Sequence, residues 1–137
     1  MTRLNPYLNF NGNTKEVMEF YQSVFGGKLT ISTFKELKMA STPADENKVM
    51  HSMLETENGV VLMAADIHSD HEYKPGTNIS ISLSGENDEE LTGYFNKLSA
   101  GGKVGQPLVP APWGDKFGML TDKFGIQWLV NIIGKNH

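Results

Sequence analysis

The chain has 137 residues, a net charge of −4 and no cysteine, and its acidic and basic residues are well mixed. That size suits one ordinary domain, able to bury roughly two thirds of its unfolded surface without covalent staples. The missing cysteines exclude disulfides, thiolate metal sites and a cysteine nucleophile, and they fit a reducing compartment. No basic stripe or Lys/Arg cluster offers a footprint for nucleic acid or an anionic membrane. No apolar run is long enough to span a bilayer, and the first residues lack the apolar core of a secretory leader. The expectation is a soluble, cytoplasmic protein.

In chain order, Leu4, Pro6, Leu8 and Phe10 alternate with Asn5, Tyr7 and Asn9, the period of a half-buried strand. Pro6 places that strand near its start or at an edge. Asn13 or Thr14 caps a helix whose Val17, Phe20, Tyr21, Val24 and Phe25 form one apolar stripe. Gly26-Gly27 ends it. Lys28 to Glu36 reads as a strand, and 38–47 as a polar, mobile loop. Val49 to Glu55 and Val60 to Ala65 pair across Asn58-Gly59, a strong hairpin signal.

Residues 67–77 read as a linker punctuated by Pro75-Gly76. Asn78 to Leu83 is the next strand, followed by a helix from about Asn87 to Ser99 that buries Leu91, Phe95 and Leu98. Lys103 to Val109 and Phe117 to Thr121 are strands separated by Pro110-Ala111-Pro112-Trp113-Gly114. Phe124-Gly125 turns into a last strand, Ile126 to Ile133.

This order says one thing twice. Phe25-Gly26-Gly27-Lys28 closes the first helix and Ala100-Gly101-Gly102-Lys103 the second, 75 residues later. The turns at Gly59 and Gly125 lie 66 residues apart, so the first half carries nine extra residues, which the 38–47 loop absorbs. The fold class is α+β: two βαβββ modules forming a curved mixed sheet around a shared cavity. The whole chain is then one domain, with module 1–67, linker 68–77 and module 78–137.

Glu19-Phe20-Tyr21-x-x-Val24-Phe25-Gly26-Gly27 and Asp122-Lys123-Phe124-Gly125-Ile126-Gln127-Trp128 resemble the vicinal oxygen chelate superfamily, which includes glyoxalase I, bleomycin-resistance proteins and extradiol dioxygenases. Pro6-Tyr7-Leu8-Asn9-Phe10-Asn11-Gly12-Asn13, His51, Asp66 and Thr121 to Asn131 are most similar to its PhnB-like branch. The resemblance covers nearly the whole chain, and its closing segment is the most specific part. It implies the paired βαβββ modules and a homodimer. Relatives carry a ubiquinone-precursor methyltransferase label, but no glycine-rich strand-to-helix turn suits S-adenosylmethionine here. A link of the branch to phosphonate operons implies neighbourhood and not chemistry.

Metal-dependent members of the superfamily hold a divalent ion with His, Gln or Glu on four inner strands. Carried onto this chain, those positions fall on Asn5 or Pro6, Leu62 or Met63, Asn78, and Leu129. Leu, Met and Pro cannot ligate a hard divalent ion and Asn does so poorly. The expectation is no metal and no cofactor. His68 and His71, among Asp66, Asp70 and Glu72, form the densest alternative ligand cluster, or else a solvated surface loop. His51 is either a cavity base or hydrogen-bond donor, or a neutral structural histidine. Asp66 either pairs with His51 or caps the linker.

Strand alternation names the cavity lining. Ile126, Trp128 and Val130 share a face that packs against a helix, and Gln127, Leu129 and Asn131 face the cavity. Asn5, Tyr7 and Asn9 form the polar face of the first strand, and Asn78, Ser80 and Ser82 that of the fifth. The ligand-binding candidates are Tyr7, Asn9, His51, Asn78, Ser80, Trp113, Gln127 and Asn131. For Tyr7 and Asn9 the alternative is a structural polar network. Trp113 either caps the mouth or lies in the core or a dimer interface.

The expected function is a metal-independent homodimeric protein that holds a small aromatic or polar organic molecule. The alternatives are a divalent-metal lyase, isomerase or dioxygenase of the glyoxalase kind, and a non-catalytic dimeric scaffold.

Overall fold

The computed structural model describes residues 2–134. The chain divides into two compact units, Met1–Pro75 and Gly76–His137. In the first, β1 (Tyr7–Phe10), α1 (Thr14–Phe25), β2 (Lys28–Thr33), β3 (Val49–Glu55) and β4 (Val61–Asp66) build a four-stranded sheet in the order β1-β4-β3-β2. In the second, β5 (Ile81–Gly85), α2 (Asp88–Ser99), β6 (Lys103–Pro110), β7 (Lys116–Thr121) and β8 (Gln127–Ile132) repeat it as β5-β8-β7-β6. The first and last strand of each unit pair parallel, and the other pairs are antiparallel.

Each helix covers one face of its own sheet. In α1, Val17, Met18, Tyr21, Val24 and Phe25 are buried, and the helix packs on β2, β3 and β4. Phe20 turns partly outward and Met18 takes its place inside. In α2, Leu91, Phe95 and Leu98 are buried among β5 to β8, where Trp128 is the largest enclosed side chain. Each large apolar residue removed from water this way contributes about 1.5–3 kcal/mol.

The repeated Gly-Gly has one cause in both units. A side chain at Gly27 would collide with the Glu55 carbonyl, and one at Gly102 with the Thr121 carbonyl. The chain leaving each helix must pass that close to the end of its hairpin strand.

The helix starts differ. Asn13 occupies the cap position of α1 but its side chain makes no capping bond. The acceptor is instead Asp66, at the end of β4. Its Oδ1 accepts from the Gly12 N–H at 2.9 Å, the Thr14 N–H at 3.1 Å and the Thr14 hydroxyl at 2.6 Å. Its Oδ2 accepts from the Val49 N–H at 2.9 Å. One buried carboxylate thus joins the start of α1 to the first residue of β3. In the second unit the Asn87 side chain caps α2 locally, accepting from the Glu90 N–H at 3.0 Å.

Two strands begin later than their alternation suggests. β1 starts at Tyr7, because Pro6 has no N–H and contributes only its carbonyl, bonded by Met63. β5 starts at Ile81 and runs to Gly85, leaving Asn78 and Ser80 ahead of it and Ile79 exposed. At the other edge of that sheet, β6 contains Pro107 and Pro110 and slips register twice against β7.

The 38–47 segment is not the free loop its polarity suggests. Phe34 and Asp45 are buried, and a short 3-10 turn spans Pro43–Asp45. Asp45 accepts from Ser69 at 3.1 Å and Thr42 at 3.3 Å, and Lys48 Nζ lies 3.2 Å from its Oδ1. His68 Nδ1 stands 3.7 Å away, its ring edge-on to Phe34. The segment after β4 is therefore part of the first unit, and the carboxylate is what ties the loop to it.

Two outcomes follow from these carboxylates. Asp66→Asn places an amide donor where only acceptors fit, and should lower stability by about 2 kcal/mol. A lower urea midpoint at unchanged m would show it. Asp45 is held below its ordinary value of 3.8: burial pushes it up, but Lys48 and Ser69 pull it further down. A carboxyl with a depressed folded pKa stabilises above its unfolded value and loses that contribution as pH falls. Amide protection over 38–47 should therefore fall from about pH 3.8 downward. In Asp45→Asn it should already be low at pH 7.

Candidate functional site

The sheet face opposite each helix is where the candidate residues collect. In the first unit, register aligns Tyr7, Met63, Met53 and Thr30 in one row across the four strands. The neighbouring row brings Asn9 beside Ala65 and Ser32 beside His51. Tyr7 is 44% exposed, and its ring centroid lies 6.3 Å from that of His51. The face combines a phenol, an imidazole and an amide with two thioethers. All are accessible to a ligand and none is consumed by the helix.

In the second unit the corresponding rows are Ser82, Leu129 and Met119, then Ser84, Asn131 and Phe117, with Gln127 paired to Thr121. Asn131 Nδ2 donates to Asp115 Oδ2 at 2.8 Å, and the Gly134 N–H donates to Asp115 Oδ1 at 2.8 Å. Trp113, half exposed, meets Phe117 edge-on with centroids 5.5 Å apart. Its turn is closed by the Ala111 N–H bonded to the Asp115 carbonyl at 2.7 Å.

Tyr7, Asn9 and His51 thus share the open face of the first sheet, and Gln127 and Asn131 that of the second, with Trp113 against Phe117. Asn78 and Ser80 precede β5, and the hydroxyls aligned with β8 are those of Ser82 and Ser84. Ser84 continues the same alternation one step beyond the expected strand end. Phe117 and Asp115 carried no signal in the sequence, because their importance comes from pairing with residue 131. Grooves of about 330 and 400 Å³ in the second unit lie on the α2 side and contain none of these candidates.

Asp66 neither pairs with His51 nor caps the linker; its four bonds all serve α1 and β3. His68 and His71 are neighbours, with ring centroids 5.5 Å apart, but Glu72 turns to Lys74 and Asp66 is committed elsewhere. Among the described residues no three His, Asp or Glu side chains are grouped to hold a metal ion. The inner-strand positions at which the superfamily would place its ligands carry Met63, between Tyr7 and Met53, and Leu129, between Ser82 and Met119. Thioether and alkyl groups do not fit a hard divalent ion.

Comparison with known proteins agrees with this architecture. The family described as 3-demethylubiquinone-9 3-methyltransferase matches residues 2–131. Protein PA1353 from Pseudomonas aeruginosa is 37% identical, with 98% of this chain and 100% of that one covered and a TM-score of 0.83. A putative 3-demethylubiquinone-9 3-methyltransferase, PhnB protein, from Bacillus cereus is 30% identical over 96% of this chain and 100% of its own, with a TM-score of 0.75. A glyoxylase/bleomycin resistance protein/dioxygenase domain from Frankia sp. EAN1pec shares the fold at 14% identity, over 96% and 97% of the two chains, with a TM-score of 0.67. With its duplicated βαβββ units and a family match over almost its entire length, this chain belongs to the PhnB-like family described as 3-demethylubiquinone-9 3-methyltransferase and has the fold of the glyoxylase/bleomycin resistance protein/dioxygenase domains.

Proposed function

We propose that this protein binds a small organic molecule without a metal ion, on the open faces of its sheets, and works as a homodimer in a reducing cytoplasm. One observation carries the reading. Where metal-dependent relatives would place ligands, the open faces hold Met63 and Leu129, surrounded by Tyr7, His51, Met53, Ser82 and Met119. Methionine is polarizable and adaptable, and it packs well on aromatic rings. Tyr7, His51 and Asn9 supply the directional bonds that orient a bound molecule.

The reading does not extend to the methyl transfer in the family's description. The turn into α1 has one glycine, and the N–H groups of Gly12 and Thr14 that face the helix start are filled by Asp66. The turn into α2 is closed by Asn87. Neither offers the open glycine-rich cradle that a nucleoside cofactor uses.

Native mass spectrometry of freshly purified protein, followed by melting with and without EDTA, tests the proposal. The expected result is a metal-free dimer whose melting temperature is indifferent to EDTA and rises with a bound organic molecule, as any ligand preferring the folded state requires. One stoichiometric divalent ion per chain, with a melting temperature that falls on chelation, would overturn it. For a molecule that binds the first sheet, Tyr7→Phe and His51→Ala should each weaken affinity about ten-fold, the worth of one hydrogen bond. Titration calorimetry reads this, and neither variant should shift the melting temperature by more than about 2 °C.

A further inference from the structure

The row Ser84, Asn131, Phe117 on the second sheet, extended by Trp113, has a chemistry of its own. Asp115 is 7% exposed, and its carboxylate can only accept hydrogen bonds. The Asn131 amide must therefore turn its NH2 toward Asp115 Oδ2, 2.8 Å away. That fixes the Asn131 carbonyl on the other side of the amide, where it has no partner among the described residues. The fixed acceptor is the cross-strand neighbour of Phe117, and Phe117 supports the half-exposed indole of Trp113.

The open-face residues of β5, β8 and β7 are Ser82, Ser84, Gln127, Leu129, Asn131, Phe117, Met119 and Thr121, none of them basic. Lys116 points to the α2 side, where its Nζ lies 2.7 Å from Asp88. Lys103 stands at the far end of the sheet, opposite Thr121. An aromatic corner next to an outward carbonyl attracts positive charge: the ring faces through their quadrupole, and the carbonyl oxygen through a hydrogen bond from an N–H.

We infer that the Trp113–Phe117–Asn131 corner is a subsite for an organic cation, an ammonium or amidinium carried on an aromatic scaffold. The cation lies on the indole and donates to the Asn131 carbonyl and the Ser84 hydroxyl. Asp115 is a positioning residue that holds the amide in the receptive orientation. This rests on the reading that the open faces are ligand surfaces, and it names the class of ligand that the second one takes.

Three probes of one shape and different charge test it: 1-naphthylmethylammonium, neutral 1-naphthalenemethanol and anionic 1-naphthoate. Binding to the intact chain is followed through the Trp113 indole and Asn131 side-chain signals in 15N-labelled protein. The expected result is that the cation binds at least ten-fold more tightly than the neutral probe and the anion most weakly, with both signals shifted. Trp113→Leu, on an exposed turn, should abolish the preference for the cation while leaving the fold intact by circular dichroism. Asn131→Leu should weaken the cation about ten-fold and the neutral probe little. Equal affinity for all three probes overturns the cation subsite and leaves the broader ligand reading standing. If no probe binds and the Tyr7 and His51 signals are also unmoved, both readings fall. A Trp113 signal that responds to protein dilution and not to any probe identifies the indole as a contact between copies and overturns the subsite.

Discussion

The buried carboxylate of Asp66 is the constraint on which the first unit is built. Burying a charge is costly unless every lone pair finds a donor, and here four donors converge on it. Those donors come from the β1–α1 turn, the first residue of α1 and the start of β3. The helix therefore cannot slide over its sheet, and β1 cannot shift against β4, without leaving the charge unsatisfied. The parallel pairing of Tyr7 with Met63 inherits its register from that anchor. Since a one-residue slip in a strand sends every side chain to the opposite face, the same anchor keeps Tyr7 and Asn9 on the open side.

The second unit solves the same problem differently. The residue equivalent to Asp66 is Ile132, which is buried and apolar. The helix start is satisfied locally by Asn87, so no long-range charge is needed there. Two carboxylates are buried in this unit: Asp122 accepts from the Phe124 and Ile126 N–H groups and from the Trp128 indole, and Asp115 orients Asn131. The two units thus share a backbone plan and place their buried carboxylates differently. In the first, Asp66 ties the helix start to β3; in the second, Asp122 holds the turn into β8 and Asp115 holds the Asn131 amide on the open face.

This also explains what could be read from the chain alone. The two helices, the Asn58-Gly59 hairpin and the repeated Gly-Gly are local signals, since period, turn chemistry and steric freedom act within a few residues. Open-face residues such as Tyr7, His51, Gln127 and Asn131 followed from alternation. The anchoring role of Asp66 spans 52 residues to Thr14, and the pinning of Asp45 by Ser69 spans 24. No local pattern announces either one, so Asp66 read as a possible partner of His51 and 38–47 as a mobile loop. Alternation does not say where a strand begins, only which side its residues take, so Asn78 and Ser80 lie ahead of β5 and not within it.

The irregular edge of β6 has a consequence for the protein's behaviour in a crowded solution. An edge strand offers its unpaired N–H and C=O groups to any other chain, the first step of sheet-to-sheet aggregation. On β6, Pro107 and Pro110 remove two donors, and two register slips break the even spacing that an incoming strand would have to match. Val104 and Val109 are therefore exposed on a strand that makes a poor template for intermolecular pairing. Replacing either proline with a β-branched residue would regularise the edge and convert a tolerated apolar strip into an adhesive one.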